Sequence, residues 1–155
     1  MKPVLSAYGR KLRGRGERGA ILVELAMMLP LLTLFFLSVI DLGLVIWEHQ
    51  VLQNAAREGA RFSGLQTSWL DPRNPTATRA AIEQRVIDYC LQERITVNAV
   101  DITVNQQYPI VVGALTVRGS EVVVTYNRSF LVPGAPLLPF PQVRLSARAV
   151  FRNLY

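Results

Sequence analysis

The sequence contains few of the residues that build catalytic or metal sites. It has one histidine, His49, and one cysteine, Cys90. A single cysteine excludes an intramolecular disulfide, and these two residues, far apart in the chain, make no plausible zinc site. Phosphate-binding glycine loops, G-x-S-x-G turns and usefully spaced carboxylate pairs are also missing. We therefore expect no enzyme activity, no catalytic residue, no metal and no cofactor, and we expect Cys90 to be buried on a helix face.

The chain has a net charge of +6, but almost none of this net positive charge lies beyond the first 19 residues. Residues 1–19 hold six basic residues and one acidic residue, whereas the remaining 136 hold eleven and ten. A nucleic-acid-binding protein usually carries its basic residues on a folded face. Here they precede an apolar segment, as the positive-inside rule explains. We therefore expect no nucleic-acid partner.

The apolar segment covers residues 20–47 and predicts a transmembrane helix. Sixteen residues without charge separate Glu24 from Asp41, and roughly 20 apolar residues span a hydrocarbon core of ~30 Å. A cleaved secretory signal is the competing interpretation, but the run exceeds the ~7–15 residues of such a signal and no small-x-small cleavage site follows. We predict a single pass through a bacterial inner membrane, with a cytoplasmic N-terminus and a periplasmic or extracellular C-terminal domain.

Beyond the membrane the same helix is expected to continue to Phe62. Ala55, Ala56 and Gly59 lie on a stripe with helical spacing, and such small residues allow another backbone to approach closely. Two partners fit this stripe: the sheet of the same domain, which we favour, or a second subunit.

The rest of the chain predicts an antiparallel α+β domain. A second amphipathic helix is expected over residues 77–93, and alternating strand patterns follow from Ile95. Leu115 and Val117 precede a predicted turn at residues 118–120, and a proline-rich loop separates the next strand from a last one that begins at Val143. The expected architecture is a long N-terminal helix (a membrane-spanning half plus an extramembrane half), a second helix, then three or four antiparallel strands. The predicted division is a basic cytoplasmic leader (1–19), a transmembrane helix (20–47) and an extracytoplasmic α+β domain (48–155).

Glu24 is unusual because it lies inside the apolar segment. A carboxylate costs about 2–3 kcal/mol at the centre of a membrane helix and less near an end. One interpretation is that Glu24 merely marks the cytoplasmic edge of the membrane. The other follows from its neighbours, because Arg18 and Gly19 precede the run Ala20-Ile21-Leu22-Val23-Glu24.

This arrangement resembles a type IV prepilin processing site: a basic leader, a glycine, and an apolar helix with glutamate at its fifth residue. The resemblance implies that a prepilin peptidase cuts between Gly19 and Ala20 on the cytoplasmic side. The new cationic amine of Ala20 would need a counter-ion, and Glu24 lies one helical turn away. Leu25 stands where major pilins of the Flp branch usually have tyrosine, and the cut chain would be far longer than theirs. The resemblance therefore does not extend to the major fibre subunit.

Residues 18–62 more closely resemble the TadE-like family, minor pseudopilins of tight-adherence (Flp) pilus systems. The resemblance rests on Glu24, Pro30, the step from Asp41 to Gly43 and the stretch LQNAAREGAR at 52–61. It implies a role in pilus assembly or initiation, with a prepilin peptidase, other pilin-like subunits and the assembly platform as partners.

Pro30 and Asp41 each leave two interpretations open. Pro30 removes a helical hydrogen bond and either eases packing into a filament or is a tolerated membrane proline. Asp41, roughly 25 Å along the helix from Glu24, either faces headgroups and solvent or contacts a partner helix.

Two hypotheses follow for the whole chain. It is a processed minor pseudopilin, or an uncleaved single-pass membrane protein whose outer domain scaffolds or binds partners of a pilus or secretion apparatus. The spacing of Gly19 and Glu24 favours the first. The residues expected to matter are Gly19, Ala20 and Glu24 for processing, and Glu24, Pro30, Asp41, Ala55, Ala56 and Gly59 for assembly contacts.

Overall fold

The computed structural model describes residues 10–65, 75–130 and 142–154. Its elements are α1 (Arg10–Leu65), α2 (Pro75–Gln92), a 3-10 helix (Ala99–Asp101), β1 (Ile102–Val112), β2 (Leu115–Ser129) and β3 (Gln142–Arg152). The strands form one antiparallel sheet in the order β1-β2-β3. The α+β architecture predicted from the sequence is confirmed, with three strands in the described ranges. The predicted proline-rich loop lies in residues 131–141, outside them.

The chain divides into two compact units, residues 1–41 and 42–155. In the first unit α1 already begins at Arg10, so part of the basic leader is helical. From Gly19 onward the helix is long and apolar enough to cross a membrane. Its apolar side chains are mostly exposed within the chain; Met27, for example, is 76% exposed.

The hydroxyl side chains of Thr33 and Ser38 in this apolar stretch are hydrogen-bonded within the helix itself. The hydroxyl of Thr33 donates to the carbonyl of Leu29 and that of Ser38 to the carbonyl of Leu34, each at 2.8 Å. A hydrocarbon environment requires such internal pairing, because no water is available there. Neither hydroxyl group therefore needs a hydrogen-bond partner from outside the helix, so both can face lipid.

The second unit has its core between the two helices and one face of the sheet. The C-terminal part of α1 and α2 present apolar faces at helical spacing, and the strands contribute every second residue. Its largest apolar side chains, all at most 1% exposed, are Leu52, Ile82, Val86, Ile102, Val122 and Val124. This cluster fixes α1 and α2 on the same side of the sheet.

The second helix has recognisable signals at both ends. It begins at Pro75, whose fixed φ and missing N–H suit the first helical position. After Gln92 the chain reverses at Arg94, which has a φ of 61°. The N–H of Ile95 bonds to the carbonyl of Cys90 at 2.9 Å and closes the helix end. The helix predicted over 77–93 is thus confirmed, with slightly shifted bounds.

The turn predicted at residues 118–120 is wrong. These residues lie inside β2, and the β1–β2 turn lies at Gly113, which has a φ of 62°. Gly119 instead allows close packing: a Cβ there would overlap Ile110 Cδ1 and lie 2.9 Å from the carbonyl oxygen of Phe151. A glycine that looked like a turn signal is therefore a position where two neighbouring strands leave no room for a side chain.

Candidate functional site

Gly19 lies in helical backbone and has no packing reason to be glycine. A Cβ built on it meets no atom within 4 Å, and its φ is not in the left-handed region. Glycine in a helix interior is less favourable than alanine by about 0.5–1 kcal/mol. Gly14 and Gly16 also lie in α1, so we expect this part of the helix to unwind more easily than the apolar stretch that follows.

Ala20 and Glu24 lie one turn apart on one face of α1. Together with Gly19 they line a shallow groove on the helix whose remaining lining is Val23, Met27 and Met28. Glu24 is exposed, and no ion pair or hydrogen bond is found for it among the described residues. The carboxylate is therefore available to an α-amine at Ala20 or to a group from another molecule.

Pro30 and Asp41 differ in their surroundings. Pro30 lies within the continuous helix α1 and is exposed. Asp41 is only 6% exposed, in a helix whose neighbouring side chains face outward. Its carboxylate is therefore covered by protein.

Ala55, Ala56 and Gly59 lie inside the second unit. Both alanines are fully buried, and a Cβ on Gly59 would lie 2.5 Å from Val86 Cγ2 and 3.5 Å from Val122 Cγ1. The small residues thus let α1, α2 and β2 approach one another, which is the favoured of the two interpretations. A neighbouring subunit would have to contact surface outside these three residues.

A buried ion pair was not predicted. Arg128 Nη1 lies 2.7 Å from Glu48 Oε1, and the two side chains are 8% and 14% exposed. The sequence does contain a signal for a buried arginine, because Arg128 continues the alternating inward-facing series Val122, Val124 and Tyr126 along β2. An arginine at an inward position requires a buried acceptor, and the structure shows that Glu48 of α1 supplies it.

A buried polar cluster at the other end of the domain was also missed. The hydroxyl of Ser63 donates to Ser120 Oγ, which donates to Asn153 Oδ1, both at 2.8 Å. Gln106 Nε2 donates to Ser63 at 3.2 Å, and Asn153 Nδ2 to the carbonyl of Gln106 at 3.1 Å. The cluster joins the end of α1 to β1, β2 and the residue that follows β3.

Cys90 is buried, as predicted, and is a free thiol. Burial raises its pKa from 9.0 to about 11, because the thiolate is poorly solvated there. The thiol is therefore protonated and unreactive at neutral pH. Among the described residues no three His, Cys, Asp or Glu side chains come together as metal ligands.

The fold and these residues define a class of protein: within its described residues, the chain has one helix that could span a membrane and one small α+β domain. Within that class, residues 19–61 match the family model described as TadE-like protein. The resemblance stated from the sequence is thereby confirmed over this segment, and the family suggests involvement in tight-adherence pilus systems. No curated protein and no solved structure matches the chain.

Proposed function

We propose that this protein is a minor pseudopilin that takes part in the assembly or initiation of a tight-adherence pilus. The basic leader (1–19) is cytoplasmic, residues 20–47 cross the inner membrane once, and the domain of residues 48–155 lies in the periplasm or outside the cell. A prepilin peptidase cuts after Gly19. The partners are other pilin-like subunits and the assembly platform.

The observation that carries this proposal is the environment of Gly19. Nothing in the fold requires glycine there, yet it lies one residue before the start of the apolar run and five before an exposed glutamate. A protease that binds an extended backbone supplies a reason, because glycine has no side chain to clash and lowers the cost of unwinding. The position also begins the TadE-like segment.

The second candidate function is an uncleaved membrane anchor whose outer domain scaffolds pilus or secretion components. One observation favours it: α1 runs from Arg10 through the Gly19–Ala20 bond without a break. A protease would have to unwind this helix before cutting. The two functions share a topology and differ in whether residues 1–19 remain on the working protein.

The test is the N-terminal sequence of the protein purified from its native membrane, with and without its prepilin peptidase. We expect a chain that begins at Ala20 only when the peptidase is present. Gly19→Val should prevent cutting. Gly43→Val is the matched control, because a Cβ at Gly43 also meets no atom within 4 Å, and this variant should be cut normally.

A chain that still begins at Met1 in cells with active peptidase would contradict the proposal and leave the uncleaved anchor. In cells where cutting occurs, Glu24→Gln separates processing by the peptidase from assembly into the pilus. We expect the variant to be cut and to enter the pilus poorly, because its neutral side chain cannot pair with the α-amine of Ala20 or of a neighbour.

A further inference from the structure

Most unpaired charges among the described residues of the second unit lie on two separate flanks. We define the β3 flank as the exposed outer side of β3, the neighbouring Glu121 of β2 that pairs with it, and the adjoining side of α1. It holds five arginines and one glutamate, a net charge of +4. These residues are Arg57, Arg61, Glu121, Arg144, Arg148 and Arg152.

Contacts within the domain place α1 beside β3. Gln53 Nε2 donates to the carbonyl of Arg148 at 2.8 Å, and a Cβ on Gly64 would lie 3.2 Å from the carbonyl oxygen of Arg152. Arg57 and Arg61 lie on the helix between these two contacts, and both are exposed. The two helix arginines therefore run alongside the strand.

The arginines of β3 all point away from the core. Leu145 and Ala147 are buried on the inner face, so the side chains at 144, 148 and 152 share the outer face. They follow the strand over roughly 26 Å, and Val150, 40% exposed, lies among them. Arginines around an exposed apolar residue are typical of a protein-binding surface.

One arginine of this flank is held in place by the sheet itself. The Arg148 guanidinium lies over the Tyr108 ring, 5.2 Å from its centroid, and pairs with Glu121. These contacts with Tyr108 and Glu121 raise the pKa of Arg148. The other four arginines of the flank form no ion pair among the described residues, so four unpaired positive charges remain to attract a partner. They are Arg57, Arg61, Arg144 and Arg152.

The α2 flank, on the side of β1, has the opposite charge. We define it by the exposed residues of α2, the adjoining Glu58 and the chain to Asp101. Arg79 pairs with Glu83 at 2.6 Å and Arg85 with Glu58 at 2.9 Å. The charges left over are those of Asp88, Glu93 and Asp101 against the single Arg94, a net charge of −2.

We propose that the β3 flank of one copy of this chain docks on the α2 flank of a second copy. The two flanks are complementary in charge and belong to different sides of the same domain, so each copy offers one of each. Such a heterologous contact repeats without closing and produces a row of subunits. The inference goes beyond the proposed function and does not depend on cleavage after Gly19, because uncleaved chains carry the same flanks.

The experiment uses the full chain in vesicles of neutral phosphatidylcholine, which offer no net charge to the arginines. One population carries Ser146→Cys on the β3 flank and the other Gln92→Cys on the α2 flank, both at exposed positions. A short bifunctional thiol reagent joins neighbours, and buried Cys90 stays unreactive at neutral pH. We expect the mixed dimer to exceed either like pair, and to decline when added salt screens the charges.

Charge reversal tests the specificity. Arg57→Glu, Arg61→Glu and Arg152→Glu together change the net charge of the β3 flank in the first population from +4 to −2. They should lower the mixed dimer at least about tenfold, because two negative flanks then face each other. Adding Asp88→Arg with Glu93→Arg to the second population should restore it. Arg118→Glu, an exposed arginine outside both flanks, is the matched control and should change nothing.

Equal yields of all dimers, or no loss on reversal, would overturn the proposal. A loss that follows reversal of the β3 flank but not of the α2 flank would also overturn it, and would indicate an acidic surface of a different protein. The N-terminal sequence tests processing independently, so failure of one proposal is distinguishable from failure of the other.

Discussion

The two parts of α1 use the same kind of residue in opposite ways. Between Ile21 and Ile40 apolar side chains surround the helix and are exposed, with Leu22 at 66%. From Val51 to Ser63 one face is fully buried, with Leu52 at 0%, and the other carries exposed polar and charged residues. Burial within the chain explains the composition of the second part only. The first part is long and apolar enough to cross a membrane.

Charge is handled differently too. Glu24, in the first part, is exposed and has no ion pair among the described residues, whereas Glu48, in the second, is paired with Arg128 inside the domain. Glu24 is therefore available to a partner outside the chain, whereas Glu48 stabilises the domain through its ion pair with Arg128.

The largest expected effect comes from breaking the buried ion pair. Arg128→Met should lower the free energy of unfolding of the domain by about 3–5 kcal/mol, because Glu48 would remain buried and charged. Glu24 has no ion pair to lose among the described residues, so Glu24→Gln should leave the stability of the domain unaltered. Urea unfolding of the full chain in micelles, followed by near-UV circular dichroism, measures both. Equal losses would contradict the distinction between the two glutamates.

A slightly smaller effect is expected from two leucines that differ in burial. Leu52→Ala should destabilise the domain by about 2–5 kcal/mol, because it removes apolar contacts and leaves a cavity. Leu22→Ala changes a side chain that contacts little of its own chain and should not move the unfolding midpoint. If Leu22→Ala proved as damaging as Leu52→Ala, the apolar stretch would have a protein partner within the chain.

Two glycines of α1 sharpen the comparison further. Gly59→Val should cost about 1–3 kcal/mol, since the new side chain would overlap Val86 and Val122. Gly43→Val adds the same atoms where a Cβ has nothing within 4 Å, and should be tolerated. Thermal unfolding of the two variants measures whether Gly59→Val is the less stable of the two. A tolerated Gly59→Val would mean that α1 and α2 can separate without loss of stability.

The smallest effect concerns Cys90 and its pH dependence. Its pKa is about 11 in the folded domain and 9.0 without burial, so the folded state binds the proton more tightly. The resulting stability is fully present below pH 9 and is lost as pH rises toward 11. The difference in urea midpoint between the wild type and Cys90→Ala, measured from pH 8 to 10.5, should therefore shrink. A constant difference would show that the buried thiol ionises normally.

Much of the fold could be predicted because its signals are local. The apolar run of α1, the helical spacing around Ile82 and Val86, and the alternation along β3 each follow from neighbouring residues. The turn was misplaced because Arg118-Gly119-Ser120 has turn chemistry, while Gly113 lies between valines and alanine. Only the neighbouring strands show why position 119 excludes a side chain.

The paired polar groups could not be predicted, since they join distant parts of the chain. Glu48 and Arg128 are 80 residues apart in sequence, and Ser63 and Ser120 are 57 apart. The local pattern identifies an inward arginine, but the sheet register decides which carboxylate meets it. The same holds for Gln53 and Arg148, whose contact places the helix arginines beside β3.

The Glu48–Arg128 ion pair and the Ser63–Ser120 hydrogen bond have a mechanical consequence. They fasten α1 to the sheet at points 15 residues apart, roughly 22 Å along the helix. A shift of α1 by one turn along the sheet would separate Glu48 from Arg128 and Ser63 from Ser120 together. Optical-tweezers pulling along α1 should give a high rupture force that falls when Arg128→Met or Ser63→Ala removes one fastening. A tensile load on residues 48–63 of α1 is therefore carried into the sheet as shear through both fastenings at once.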